Sequence, residues 1–150
     1  MTFTPQALRE WARGSLPCEA ATELLLRAFN GRFAQAGWPW MHSDEQGRSW
    51  VDFEAIPENI DGLSGGERRF LMIAASLGGD EQVALSDVVP GLDRALLDLV
   101  LAALAHAAGS HQDSVILEKP EGVLGFERVD TLYPWPKDAP ALRVIDGGQN

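Results

Sequence analysis

The stretch LSGGERRFLMIAASL, Leu63 to Leu77, carries the strongest local signal in the chain. Ser64 is a helix-capping residue, and Glu67 stands three positions on. At that spacing the two side chains and backbone amides exchange hydrogen bonds in a capping box. Phe70, Leu71, Ile73, Ala74 and Leu77 then recur at helical spacing and supply a buried side. The segment therefore predicts a helix opening at Ser64. Capping does not account for Gly65 and Gly66. Each costs up to ~1 kcal/mol of helix propensity against alanine, and less at a helix end. Bare backbone in a first turn suits an anion, which meets free amides and the positive end of the helix dipole.

Downstream, Asp93 to Ala108 predicts a second long helix, closed by Gly109. Its polar positions Arg94 and Asp98 make a narrow stripe, so most of its circumference is expected to be buried. Upstream, Thr4 and Pro5 read as cap and first residue of a short helix ending near Gly14. Another begins around Pro17, with Glu23 and Arg27 four apart and Leu24, Leu25, Ala28 and Phe29 as its apolar side. Asn30-Gly31 is a stop signal. The run GWPWMHSDEQGRSW reads as a surface connection whose tryptophans lie on the core. SWVDFEAI, SVILE and VLGFERV read as strands, and the proline-rich YPWPKDAP as extended chain. The expected fold is a single α+β domain, mainly helical, with Gly65 to Leu77 and Asp93 to Ala108 packed on a small sheet.

The order of segments after Leu63 adds a second reading. LSGGERR resembles the signature motif of ABC-type ATPases, a group that includes the SMC-like chromosome proteins. FLMIAASL resembles the helix that follows it in that family, VALSD the Walker B strand, and PGLDRALLDLVLAALAHA the D-loop and its helix. The resemblance covers about Leu63 to Ala108. It implies an alternative fold, an α/β arrangement like the second half of an ABC-type nucleotide-binding domain. It also implies that Ser64, Gly65 and Gly66 face a phosphate, and that Glu67, Arg68 and Asp93 lie at a partner contact. Met1 to Gly62 contains no glycine-rich P-loop with its lysine, and where the family places a metal-binding aspartate and a catalytic glutamate stand Ser86 and Asp87 or, with a one-residue shift, Asp87 and Val88. What the resemblance leaves is a role in trans: a signature face offered to the ATP held by a P-loop partner, with no cofactor bound by this chain itself.

Composition narrows the function classes. The 150 residues are 45% hydrophobic and 23% charged, the balance of an ordinary globular domain. The net charge is -10, with six acids against one arginine in Met41 to Gly62. Such a surface repels phosphate backbones, so nucleic acid is not an expected partner. No apolar run reaches the ~20 residues of a membrane span. The single Cys18 forms no internal disulfide, which fits a reduced cytoplasmic setting.

The remaining candidates read as structure. His42, Asp44 and Glu45 sit in a turn-like acidic stretch, better suited to a solvated loop than to a metal. His106 and His111 flank a helix end, where a cationic imidazole suits the negative dipole terminus. Ser64, Ser76, Ser86, Ser114 and Cys18 lack an activating base, so no catalytic residue is assigned. Trp38, Trp40, Trp50 and Trp135 read as cover for a small core. The expected function is a non-catalytic cytoplasmic protein-interaction module with a protein partner of unknown identity. The alternative is a degenerate ABC-type subunit acting in trans, with ATP supplied by its partner.

Overall fold

Helix α1 (Pro5–Ala12) opens as expected: Thr4 Oγ1 accepts from the Ala7 amide at 3.1 Å, and Pro5 takes the first helical position. The computed structural model describes residues 3–137. Helix α2 (Leu16–Arg27) follows after a three-residue link. Its Ala20, Ala21, Leu24 and Leu25 are all buried, which makes α2 the central helix of the molecule. The small alanines allow close approach of neighbours on more than one side.

The chain leaves α2 through a tight 3-10 segment, Ala28–Ala34, in which Phe29, Asn30 and Gly31 all take left-handed backbone angles (φ 53, 56 and 75). For a phenylalanine this is an unfavourable region. Its ring is held by edge-on contacts with Phe33 at 5.3 Å and Phe70 at 5.5 Å, so aromatic packing offsets the local strain. The tryptophans that follow cover the core as expected. Trp40 is fully buried and donates from Nε1 to the Phe33 carbonyl at 2.8 Å, while Trp38 stacks on it at 4.9 Å.

The aromatic run is not all connection. Met41–Ser43 forms strand β1, which pairs antiparallel with β2 (Ser49–Val51) across the turn at Asp44 to Arg48. The strand expected over SWVDFEAI stops at Val51, and Phe53–Ala55 turns into a 3-10 helix. Helix α3 (Gly65–Gly78) forms from Ser64. Near its end a β-carbon at Gly78 would lie 2.6 Å from Cε2 and Cγ of Phe53 and closer still to Cδ2, so only glycine fits there.

Beyond α3 the structure corrects two expectations. VALSD is not a strand: its first residues are irregular, and α4 (Leu85–Val88) is a single helical turn. Helix α5 (Arg94–Ala107) has Asp93 as its cap and ends at Gly109, whose φ of +80 suits the left-handed stop. It buries Leu96, Val100 and Ala103 on one side, but Leu97, Leu101 and Leu104 remain 37%, 39% and 47% exposed. Helices α3 and α5 both pack on α2, not on a sheet.

Strands β3 (Ser114–Glu118) and β4 (Leu124–Arg128) form an antiparallel hairpin, centred on the Ile116–Phe126 pair. The described residues thus make a mainly helical α+β fold with two separate two-stranded antiparallel sheets. The α/β alternative is not what they form, because no parallel sheet or crossover is present among them. The closing sequence LRVIDGGQN, and the end of YPWPKDAP, lie outside the described residues.

Candidate functional site

The opening of α3 spends its polar groups internally. Ser64 Oγ accepts from the Glu67 amide at 3.2 Å, and Glu67 Oε1 accepts from the Ser64 amide at 3.1 Å, completing the capping box. Glu67 Oε2 takes a second partner, Arg32 Nη1 at 2.5 Å. The Ser64 hydroxyl and amide, with Arg32 beside them, hold the Glu67 carboxyl below the usual carboxylate range. Asp93 is likewise engaged, its Oδ1 accepting from the Leu96 amide at 2.8 Å. Of the residues read as a partner contact, only Arg68 is an exposed charge without a hydrogen bond or ion pair among the described residues.

The two glycines separate. A β-carbon on Gly65 would come within 3.2 Å of Arg69 Nη1, and one on Gly91 within 2.9 Å of the same atom. The Arg69 guanidinium therefore rests between the start of α3 and the turn before α5, and a β-carbon on Gly65 would displace this flexible end by a few tenths of an ångström. A β-carbon on Gly66 would meet nothing within 4 Å.

A different place in the fold gathers more chemistry. Arg9 from α1 and Arg13 just after it, Glu19, Thr22, Glu23 and Arg27 from α2, His106 and His111 near the end of α5, and Trp135 line a cavity of about 430 Å³. Glu23 sits between two guanidiniums, 2.5 Å from Arg9 Nε and 2.7 Å from Arg27 Nε. Burial pushes its carboxyl up, but the hydrogen bonds and charges of Arg9 and Arg27 outweigh burial and leave it lowered. Glu19 shows the same balance. Burial raises it, while the Gly14 amide at 3.1 Å, His106 Nε2 at 3.0 Å and nearby His111 bring it below its ordinary value.

The aromatic side of the cavity is continuous. His106 and His111 stack with ring centres 4.3 Å apart, Trp135 lies 6.1 Å from His106, and the Arg27 guanidinium lies 4.9 Å over the Trp135 ring. Arg27 Nη1 also donates to the Pro136 carbonyl at 3.4 Å, tying the last described segment to α2. Two buried polar atoms here lack a hydrogen-bond partner of normal geometry among the described residues, Thr22 Oγ1 and His111 Nδ1. Thr22 is only 1% exposed, and the Cys18 thiol one turn earlier is too poor in geometry and strength to satisfy it. Burial pushes that thiol upward, which leaves it a weak nucleophile.

Sequence reasoning brought only part of this into view. The His106–His111 spacing and the Glu23–Arg27 pair stand out along the chain, but their convergence does not. Glu19, Thr22, Glu23 and Arg27 form a polar stripe on an otherwise buried helix, and that stripe is the signal that marks the cavity wall. Along the acidic stretch Asp44 accepts from Arg48 across the β1–β2 turn, while His42 lies in β1 and stacks on Trp50 at 5.8 Å.

The third unusual surface is the β3–β4 hairpin. Its two strands make at most marginal contact with other elements. The register puts Ile116, Leu124 and Phe126 on one face, and they are 63%, 66% and 80% exposed. Comparison of the chain with family models, with curated proteins and with solved structures finds no match.

Proposed function

We propose that this protein is a non-catalytic protein-interaction module that presents the β3–β4 hairpin to another protein chain. The observation that carries the reading is the apolar hairpin face standing clear of the core. An isolated two-stranded hairpin is marginal in water, and an exposed apolar face of this kind is normally covered by a partner. We place the protein in the cytoplasm, where the lone Cys18 stays reduced.

The face itself favours a second copy of the chain as the partner. Glu118 lies at the turn end and Arg128 at the base end of the same face, with Ile116, Leu124 and Phe126 between them. Two hairpins stacked about a two-fold axis across the strands bring each Glu118 over the Ser114–Arg128 end of the other, so the charge pattern complements itself. Burying three such side chains from each copy contributes about 1–2 kcal/mol apiece. That total of roughly 6–12 kcal/mol only modestly exceeds the lower estimates of association cost, about 4 kcal/mol upward. A weak, concentration-dependent dimer follows.

Sedimentation velocity over a range from micromolar to hundreds of micromolar tests this. The wild type shifts toward a dimer as concentration rises, and Phe126→Asp remains monomeric with unchanged thermal stability. A wild type that stays monomeric throughout overturns the self-association reading.

One observation favours the reading in trans. Gly66 lies at the first turn of α3 with open space above its backbone, as an approaching phosphate would require. A P-loop partner captured only with Mg-ATP by the wild type, and lost in Gly66→Leu, supports it. Indifference of every captured protein to ATP removes it.

A further inference from the structure

We propose that the cavity between α1, α2 and the end of α5 is a binding site for a small planar organic carboxylate. The proposal is independent of the hairpin, which shares no residue with the cavity. Its size, about 430 Å³, falls within the ~300–1,000 Å³ of small-molecule pockets.

The charge balance selects an anion. Three guanidiniums line the cavity against two carboxylates, an excess of positive charge in a chain whose net charge is -10. Both carboxylates are already engaged, Glu23 by Arg9 and Arg27, and Glu19 by His106 and the Gly14 amide. The Arg13 side chain has no hydrogen bond or ion pair among the described residues, so its planar fork is free to take a carboxylate in two parallel bonds.

Two further polar residues, Thr22 and His111, belong to the wall. Thr22 Oγ1 and His111 Nδ1 are buried without a hydrogen-bond partner of normal geometry among the described residues, and an unpaired buried polar group costs roughly as much as a lost hydrogen bond unless something fills it. The aromatic rings select the rest of the ligand. Trp135, His106 and His111 present flat surfaces, and the space far exceeds what one inorganic ion occupies. A planar group stacks on these rings while its carboxylate meets the guanidiniums.

The test is an NMR titration of the full chain with benzoate, with neutral benzamide as its isostere and with inorganic phosphate. Benzoate shifts the ring resonances of His106, His111 and Trp135 along one saturable curve, and benzamide binds at least tenfold more weakly. Arg13→Gln, at an exposed position whose side chain holds nothing else, lowers benzoate affinity tenfold or more and leaves the fold intact. Shifts that never saturate, equal binding of benzamide, or Arg13→Gln binding like wild type overturn the site. Phosphate matching benzoate overturns the organic part of the assignment.

Discussion

Two alanine substitutions on α3 should move stability in opposite directions. At Gly66 a β-carbon meets nothing within 4 Å, and the backbone is not left-handed. Alanine there gains helix propensity, up to about 1 kcal/mol in a helix interior and less in the first turn, so about 0.3–0.8 kcal/mol of stabilisation follows. At Gly78 the same β-carbon falls 2.6 Å from two ring atoms of Phe53, against the ~3.5–4.0 Å of a normal carbon contact. The ring cannot step aside cheaply. Phe53 is buried and faces Trp11 with ring centres 6.4 Å apart, so the end of α3 must shift by about an ångström or more. Overpacking of this kind costs about 1–3 kcal/mol, which exceeds any propensity gain. The sites lie about 18 Å apart along the helix at ~1.5 Å per residue, so the double variant should be additive. Urea unfolding followed by tryptophan fluorescence measures all four proteins, with the m-value as the check that only stability has changed. Gly78→Ala as stable as wild type refutes the packing argument. Gly66→Ala less stable than wild type refutes the claim that no neighbour in the fold needs that glycine.

Other outcomes follow from the same structure. Ser64→Ala removes one half of the capping box and should cost about 0.5–2 kcal/mol in urea unfolding. Glu19, Glu23 and Glu67 all have folded pKa values below their ordinary ones, so each contributes stability that is fully present above the unfolded value of about 4.3. As pH falls from there through the folded values, that stability is lost, and acid titration of the fold should show the decline. Glu23→Gln should destabilise by about 1–3 kcal/mol at neutral pH, with the difference from wild type shrinking as acid protonates the native carboxylate. Trp40→Phe loses the bond to the Phe33 carbonyl and leaves that acceptor buried, at a cost of about 1–3 kcal/mol by thermal or urea unfolding.

Much of the local structure was legible in the sequence because its causes are local. Thr4, Ser64 and Asp93 each cap the helix that follows within three residues, and Gly109 ends α5, so four helix boundaries follow from neighbouring side chains. Periodicity likewise marked Phe70, Leu71 and Ile73 as the buried side of α3. The strand expected over VALSD failed for a tertiary reason: among the described residues no strand lies beside it to supply a ladder, and its last three residues enter a helical turn. The open side of α5 was missed because a helix rich in leucine and alanine looks buried all round, whereas α2 covers only one of its faces. The cavity is the largest thing the sequence withheld. Arg9, Glu23, His106 and Trp135 are scattered along the chain and meet only when α1 and α5 both lie against α2. The sequence by itself determined where α1, α3 and α5 begin and where α5 ends, since capping and turn chemistry act over a few residues. Only the tertiary structure decided which charges meet, which polar atoms are left without partners, and which apolar faces remain uncovered, because each depends on groups far apart in the chain.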